Sequence, residues 1–368
     1  MAKKKNSVRT EVSPIEKWTD EYKLLHPTYS QFVTKLHELL AELLRLREID
    51  YHALESRAKD PESFREKTQR PGKSYTDPLS ELPDLAALRV IAYYPDDIVR
   101  IRELLKEEFG VDPRHSTDKG DELAPDQFGY MSVHEVITLT DSRKLMTEWT
   151  RYKDLHAEVQ IRTVLQHAWA SISHKLQYKH EADVPRPLRR KLVRLSGLLE
   201  LADEQFSELR RERSEFASQI SEKISADNLD LAIDNDSVMT YVKEADVILN
   251  IKAEVSRFGF FPVPEGHVSK GLSQLVTVCR ELKIETLADL DRALRQVADG
   301  LGAFFDAFGK SHGEAHGDTP HWVAVVLVGF DRGERIAPDA VPWSLDYTTD
   351  AFKAGNMAFP LRGKRSKA

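Results

Sequence analysis

The feature that most constrains the fold is an alternation of helix-like and strand-like segments in the first half of the chain. Apolar residues spaced by three and four predict helices, whereas apolar runs that alternate with polar residues predict strands. The predicted elements are, in chain order, a helix over residues 28–47, a strand over 85–94, a helix over 98–109, strands over 130–138 and 156–163, and a helix over 164–178. This order predicts an α+β fold in which helices flank a mixed β-sheet. Residues 50–77 are left as a polar, basic segment interrupted by prolines.

The second half of the chain is predicted to be mainly helical. A long helix over residues 187–224 begins with basic residues and becomes acidic near its middle, and helical periodicity returns over 272–282 and 287–301. The apolar run over residues 323–329 is typical of one buried strand. A length of 368 residues indicates two domains at roughly 150 residues each. We predict an N-terminal extension over 1–27, a first domain over 28–224 and a C-terminal regulatory or interaction domain over 225–368.

Composition excludes several classes of protein. The net charge of −7 argues against a protein whose whole surface is basic, as in proteins that coat nucleic acid without local basic patches. The single cysteine, Cys279, excludes an intramolecular disulfide and a thiolate zinc site, and it fits a reducing compartment. No run approaches the ~20 apolar residues that cross a bilayer. We therefore expect a cytoplasmic protein without a membrane partner.

Two carboxylates and several arginines are predicted to share one side of the sheet. On the strand over 156–163, a period of two places Glu158, Gln160 and Arg162 together on one face. Asp84 precedes the strand that carries Arg89. Taken singly, Glu158 and Arg162 could form an ion pair within the sheet, and Asp84 could be a turn residue. Taken together, two carboxylates with nearby arginines suit phosphoryl transfer assisted by Mg²⁺.

Several blocks in the same order resemble the synthetase domain of the RelA/SpoT family. The blocks are residues 56–63, 84–89, 129–134, 158–163 and 167–170, with His174 and the Tyr178-Lys179 pair after them. The resemblance covers roughly residues 29–204. It implies a nucleotidyltransferase-like mixed sheet and transfer of the β,γ-diphosphate of ATP to a ribose 3′-hydroxyl.

The resemblance also implies roles for individual residues. On the ATP side, Arg57 would stack on adenine, Lys59 and Ser63 would lie near the phosphates, and Arg89 would lie behind Asp84, the magnesium-binding aspartate. Glu158 would help to bind Mg²⁺ or accept the proton of the attacking hydroxyl. The residues implied for the acceptor are Tyr130, whose ring would stack on the acceptor base, and Ser132, His134, Gln160 and Arg162 on the adjoining strand faces.

The resemblance leaves the acceptor open. Family members that make alarmones carry a lysine and an asparagine just before the Gly-Tyr pair, whereas this chain has Ala-Pro-Asp-Gln-Phe at 124–128. GDP or GTP is the first expectation, and the product would be (p)ppGpp. The 3′ end of tRNA is the rival, with the basic run at 186–194 as an RNA contact and the C-terminal domain as a fused antitoxin or phage sensor. A non-enzymatic nucleotide-binding regulator is the third interpretation.

The chain has no His-Asp dipeptide, which implies that the hydrolase domain of the long members is absent.

The remaining histidines are assigned no metal. His167 and His174 lie on one face of the predicted helix over 164–178 and lack a third ligand at suitable spacing. We expect them to be hydrogen-bonding residues of the cleft wall.

Overall fold

The computed structural model describes residues 13–120, 131–176, 185–258, 268–312, 317–341 and 343–359. The chain divides into two compact units, one ending at Arg210 and the other beginning at Arg211. The division falls inside the long helix and not at the predicted boundary after residue 224.

The first unit contains six strands and the helices that flank them. Its elements are α1 (Pro14–Leu46), β1 (Tyr51–Ala58), α2 (Pro61–Thr68), α3 (Pro78–Glu81), β2 (Ala86–Ala92), α4 (Pro95–Glu108), β3 (Phe109–Val111), β4 (Thr117–Asp118), β5 (Val133–Leu139), α5 (Asp141–Lys144), β6 (His156–Thr163), α6 (Val164–Leu176) and α7 (Arg186–Ser225), which continues into the second unit. The strand order is β1-β2-β6-β5-β3, and β4 pairs with β5. The pair β2–β6 is parallel and the other pairs are antiparallel, so the predicted mixed sheet is confirmed.

Helix α1 begins at Pro14, well before the predicted start at residue 28. Ser13 caps it, because its side chain accepts from the backbone of Glu16 while the Glu16 carboxylate accepts from the backbone of Ser13. In the part that was predicted to be an extension, Tyr22 is fully buried, and its ring stacks on Phe64 at 4.6 Å between centroids. The Tyr22 hydroxyl donates to the backbone oxygen of Lys59 at 2.7 Å. Residues 14–27 therefore help to hold the end of β1.

Strand β1 lies in the segment that the sequence left irregular. It forms the edge of the sheet, and none of its residues is buried. An edge strand without a buried face carries no apolar alternation, so periodicity could not reveal it. By contrast, β2 is buried at six of its seven positions, and its apolar run was visible in the sequence.

Among its described residues, the second unit consists of helices joined by loops, with one isolated β-bridge between Ala232 and Thr286. After the end of α7 it contains α8 (Asn235–Glu244), α9 (Asp246–Arg257), α10 (Val268–Glu281), α11 (Leu287–Val297), α12 (Leu301–His312), α13 (Thr319–Asp331) and α14 (Leu345–Ala358). The prediction of a strand over 323–329 was wrong, because this run belongs to α13, which is buried at every position from Trp322 to Asp331. A continuous apolar run is equally compatible with a buried strand and with a helix covered on all sides.

Two glycines allow α13 and α14 to cross in backbone contact. A Cβ atom placed on Gly355 would lie 1.7 Å from the carbonyl oxygen of Gly329. A Cβ atom on Gly329 would lie 2.3 Å from the ring of Phe304. Any side chain at either position would force the helices or the ring apart.

None of the helices in the described parts of the chain combines the length and the apolarity that a membrane crossing requires.

Candidate functional site

One face of the sheet collects the polar residues that the sequence singled out. Register places Arg57 beside Ala87, Ala87 beside Glu158, and Arg89 beside Gln160, while His134 pairs with Gln160 from the other side. Paired residues in adjacent strands point to the same face, so these side chains share one surface. A depression of about 300 Å³ lies over β1 and β2, and Arg57, Arg89 and Gln160 are among its lining residues.

Asp84 lies between two ammonium groups just before β2. Its Oδ2 atom is 2.7 Å from Nζ of Lys59 and 2.9 Å from Nζ of Lys67. Burial acts to raise the pKa of Asp84, but the hydrogen bonds and charges of the two lysines outweigh it and hold the pKa below its ordinary value. Asp84 is therefore ionised at neutral pH and sits in a locally cationic environment.

Glu158 is bound at both carboxylate oxygens. His134 Nδ1 lies 2.9 Å from Oε1, and the Gln160 amide donates to Oε2 at 2.9 Å. Burial acts to raise the pKa of Glu158, whereas His134 and then Gln160 lower it, and the net pKa lies below the ordinary value. The negative charge of Asp84 also raises the pKa of Glu158, so the two carboxylates act on each other electrostatically.

Arg89 extends this network toward the edge strand. Its guanidinium donates to Glu55 at 2.7 Å and reaches the Gln160 side-chain oxygen at 3.5 Å. Glu55, Arg89, Gln160, Glu158 and His134 thus form a continuous polar row across four strands. Within such a row, each side chain is oriented by the hydrogen bonds to its neighbours.

Several buried polar atoms in this site make no hydrogen bond within the described residues. They are Oδ1 of Asp84, Nε of Arg89, Nε2 of His134 and Nδ1 of His167. Burial lowers the pKa of His167, and the charges of Arg162 and Arg89 lower it further. Buried polar groups without partners are rare in folded proteins, so this concentration points to a polar ligand that completes them.

Asp84 carries a buried oxygen atom of the kind that binds Mg²⁺. Among the described residues there is no cluster of three or more His, Cys, Asp or Glu side chains arranged around a cation. Mg²⁺ does not need such a cluster, because it binds through one or two carboxylates together with waters and substrate phosphates. The unbonded Oδ1 atom of Asp84 is a hard oxygen donor of the required kind.

Other predicted site residues lie at the borders of this face. Arg57 is exposed at the end of β1, and Ser63 is exposed in the first turn of α2, where its backbone amide donates to the capping carboxylate of Asp60 at 3.2 Å. Arg162 and Ser132 are buried, and the Ser132 hydroxyl is 3.4 Å from the backbone oxygen of Ile161. Tyr130 lies outside the described residues.

Sequence reasoning missed two members of the site, Lys67 and Glu55. A signal for Lys67 was present, because Asp60 and Pro61 form a helix start and residues 63 and 67 then lie on one helix face. Glu55 shares a strand face with Arg57, but that strand was not predicted.

The end of β6 is tied to α7. The Thr163 hydroxyl donates to the buried carboxylate of Asp203 at 2.6 Å and accepts from the backbone amide of Gln166 at 3.1 Å. Burial raises the pKa of Asp203. The same hydroxyl therefore caps α6 and fastens α7 to the strand that carries Glu158 and Arg162.

The chain is similar to a known family of proteins. The family described as "Region found in RelA / SpoT proteins" matches residues 56–183. GTP pyrophosphokinase YjbM of Bacillus subtilis (strain 168) is 32% identical over 206 residues, which are 53% of this chain and 91% of that protein. GTP pyrophosphokinase YwaC of the same organism is 30% identical over 159 residues, 43% of this chain and 72% of its own length. The chain belongs to the RelA/SpoT family.

Within that family, the proteins it resembles include small alarmone synthetases. The crystal structure of small alarmone synthetase 1 from Bacillus subtilis is 28% identical, with a TM-score of 0.43 over 53% of this chain and 99% of that one. A GTP pyrophosphokinase family protein from Streptococcus pneumoniae is 26% identical, with a TM-score of 0.44 over 53% of this chain and 95% of that one. The family assignment rests on the sequence matches.

Proposed function

We propose that the first unit transfers the β,γ-diphosphate of ATP to the 3′-hydroxyl of GDP or GTP and so makes (p)ppGpp. The observation that carries the proposal is the arrangement of Asp84 with two lysines and Glu158 with His134 at one polar face. It is supported by the relatives named GTP pyrophosphokinase, which align over most of their own length.

On the donor side, cationic groups would hold the polyphosphate. Lys59 and Lys67 can exchange the Asp84 carboxylate for phosphate oxygens without leaving their positions, and charge-assisted hydrogen bonds of this kind are the strong ones. Arg57 would stack on the adenine, as its exposed place at the rim of the depression allows. Asp84 and Glu158 would hold Mg²⁺, which when bound supplies positive charge against the phosphate oxygens.

On the acceptor side, Glu158 would take the proton of the 3′-hydroxyl. Its lowered pKa keeps it ionised at neutral pH, and its bonds to His134 and Gln160 fix its orientation. The 3′-oxygen forms a bond to the β-phosphorus while the bond from that phosphorus to the oxygen bridging it to the α-phosphate breaks. AMP is the leaving group. Tyr130 would supply the stacking surface for the acceptor base.

A tRNA 3′ end is the second candidate acceptor. Two sequence features favour it: the segment 124–128 lacks the lysine and asparagine expected before a guanine-nucleotide site, and α7 begins with a basic run. The donor chemistry is the same in both cases.

The decisive experiment incubates ATP labelled in the γ-phosphate separately with GDP, GTP and deacylated tRNA. We expect label on GDP or GTP, and at least a roughly 100-fold loss of rate for Glu158→Gln and for Asp84→Asn. Glu103→Gln, an exposed change on α4, is the matched control and should leave the rate unchanged. Label on tRNA alone would select the second acceptor. Absence of label on all three acceptors would favour a non-enzymatic nucleotide-binding regulator. A Glu158→Gln protein with full activity would show that Glu158 is not the base.

A further inference from the structure

An acidic side chain lines the depression over β1 and β2. Glu55 lies on β1, its side chain is 51% exposed, and its Oε2 atom accepts from the guanidinium of Arg89 at 2.7 Å. The other groups that would meet a bound polyphosphate are cationic. Arg57 lies at the rim of the depression, and Lys59 and Lys67 flank the carboxylate just before β2. A carboxylate repels phosphate, so Glu55 meets a different part of a bound nucleotide.

Glu55 lies at the end of the site that is away from the two lysines. Glu55, Arg57 and Lys59 alternate along the edge strand, so their side chains leave the same face of the sheet. The backbone amide of Lys59 donates to Leu85 at 2.9 Å, which shows that the pairing with the neighbouring chain segment extends to it. At about 3.3 Å per residue, Glu55 is roughly 13 Å from Lys59 along the strand. A nucleotide with its phosphates at Lys59 and its base on Arg57 therefore brings an edge of that base to Glu55.

One carboxylate oxygen of Glu55 is left for a ligand. Among the described residues, Arg89 is the hydrogen-bond partner of this carboxylate, and it uses the Oε2 atom. A carboxylate that is paired with a guanidinium accepts hydrogen bonds and donates none. The Oε1 atom therefore favours a base whose facing edge carries a hydrogen-bond donor.

Adenine and guanine differ at the position that such an oxygen distinguishes. Adenine carries an amino group, which is a donor, at C6, whereas guanine and hypoxanthine carry a carbonyl oxygen, which is an acceptor. A guanine turned to present its N1 and 2-amino donors would need both carboxylate oxygens, and Arg89 occupies one of them. ATP and GTP have identical triphosphates, so the lysines cannot tell them apart. In a reaction with a guanine nucleotide as acceptor, only the base can keep the acceptor out of the donor's place.

We propose that Glu55 is a specificity-determining residue that selects adenine in the nucleotide donor. Its Oε1 atom accepts a hydrogen bond from the 6-amino group of adenine and repels the 6-carbonyl oxygen of guanine or hypoxanthine. Arg89 holds the carboxylate in place for this contact. Repulsion of the wrong base contributes to selectivity together with attraction of the right one. The inference rests on the proposed function, because it takes ATP as the donor.

The test measures nucleotide binding to the full chain without any transfer. The labelled probe is ATP in which a methylene group replaces the oxygen between the α- and β-phosphates, so the bond that breaks in the reaction stays intact. Unlabelled ATP, ITP and GTP with the same replacement compete for the probe's place in the presence of Mg²⁺. We expect the ITP and GTP analogues to bind more weakly than the ATP analogue by about tenfold or more. Equal binding of the ATP and ITP analogues to the wild-type chain would overturn the proposal.

The variant Glu55→Gln separates base selection from a structural role. The oxygen of the new amide would stay on Arg89, so its nitrogen would face the base and donate to a 6-carbonyl oxygen. The preference for the ATP analogue over the ITP analogue should therefore fall by about tenfold or more. Glu42→Gln is the matched control, because Glu42 is 53% exposed and also pairs with an arginine, Arg45, on α1. It should keep the wild-type preference. Equal losses of both analogues in Glu55→Gln would show that Glu55 only holds Arg89, and would overturn the proposal.

Failure of the proposed function would give a different result from failure of this inference. A chain that prefers the ATP analogue but transfers no label to GDP, GTP or tRNA would contradict the transfer reaction and support the selection of adenine by Glu55. A chain that transfers label equally well from ATP and from ITP would support the reaction and contradict the role of Glu55. A wild-type chain that does not bind the ATP analogue would contradict both.

Discussion

At the scale of single residues, His321 is a buried histidine held neutral by its surroundings. Its Nδ1 lies 2.8 Å from the Gln274 side-chain oxygen, and its Nε2 lies 2.8 Å from the hydroxyl of Tyr347. Because a side-chain carbonyl oxygen only accepts, Nδ1 carries the proton and Nε2 accepts from Tyr347. Burial lowers the pKa of His321 to about 4, and the charge of Lys270 adds to this effect.

This low pKa predicts acid lability of the second unit. The unfolded chain takes up the proton near pH 6.5, whereas the folded unit resists it until about pH 4. The contribution to stability is therefore complete above pH 6.5 and is lost as the pH falls toward 4, by roughly 3 kcal/mol over that interval. Calorimetric unfolding between pH 7.5 and 4.5 should show this loss. His321→Gln should flatten the curve relative to wild type, and an unchanged pH dependence would contradict the assignment.

Residue patterns in the sequence predicted much of the polar face. A strand period of two was enough to place Glu158 and Gln160 together, and the register confirms that they share a face with Arg89 and His134. Their roles toward ATP and the acceptor remain predictions. Lys67 could not be placed by strand alternation, because it reaches Asp84 from a helix and the contact depends on tertiary folding.

At the scale of elements, helices α13 and α14 cross at two glycines, Gly329 and Gly355, and their close approach depends on the absence of side chains there. Gly355→Ala would introduce a methyl group 1.7 Å from the Gly329 carbonyl oxygen. The backbones must separate to accept it, so we expect the second unit to lose about 3 kcal/mol or more.

The control for this substitution is the same change in a neighbouring helix. In Gly302→Ala the new methyl group would meet only the flexible carboxylate end of Glu254 at 3.3 Å. Replacing glycine by alanine inside a helix favours the helix by up to about 1 kcal/mol, so this variant should be as stable as wild type or more so. Denaturation of both variants by urea measures the difference. Equal stabilities would show that the helices can separate at little cost.

Helices and strands could be predicted from the sequence where only one of their faces is buried. They were harder to predict where both faces are exposed or all faces are buried. Helix α4 and strand β6 carry regular apolar spacing and were found within a few residues of their ends. Strand β1 is exposed and α13 is covered all round, so neither shows a one-sided pattern. The start of α1 was missed because the prediction followed apolar spacing alone, although Ser13, Pro14 and Glu16 carry the capping-box pattern of a helix start.

At the scale of the whole molecule, the two units have separate cores. One core includes Phe64 and the buried sides of β2, β5 and β6, and the other includes Phe305 and the helices around α13. The two sets of buried residues have no member in common. The chain divides into two compact units inside α7 and not after residue 224, where the sequence predicted a domain boundary. A regulatory or interaction role for residues 225–368 stays a prediction.

Separate cores predict two transitions in thermal unfolding. Phe64→Ala and Phe305→Ala each remove a fully buried ring and should cost about 3–5 kcal/mol. We expect each to lower the midpoint of one transition by roughly 6 °C or more and to leave the other in place. Differential scanning calorimetry distinguishes the cases, with Leu145→Ala as the exposed control. One transition shifted by both changes would mean that the units unfold cooperatively.

The lone thiol of the chain has a practical consequence. Cys279 is fully buried in α10, and burial raises the pKa of its thiol to about 12. An alkylating reagent can reach the thiol only when the surrounding helices open. The rate of labelling therefore measures how often they open. Mass spectrometry of the alkylated native protein can therefore follow local opening of the second unit without an introduced label.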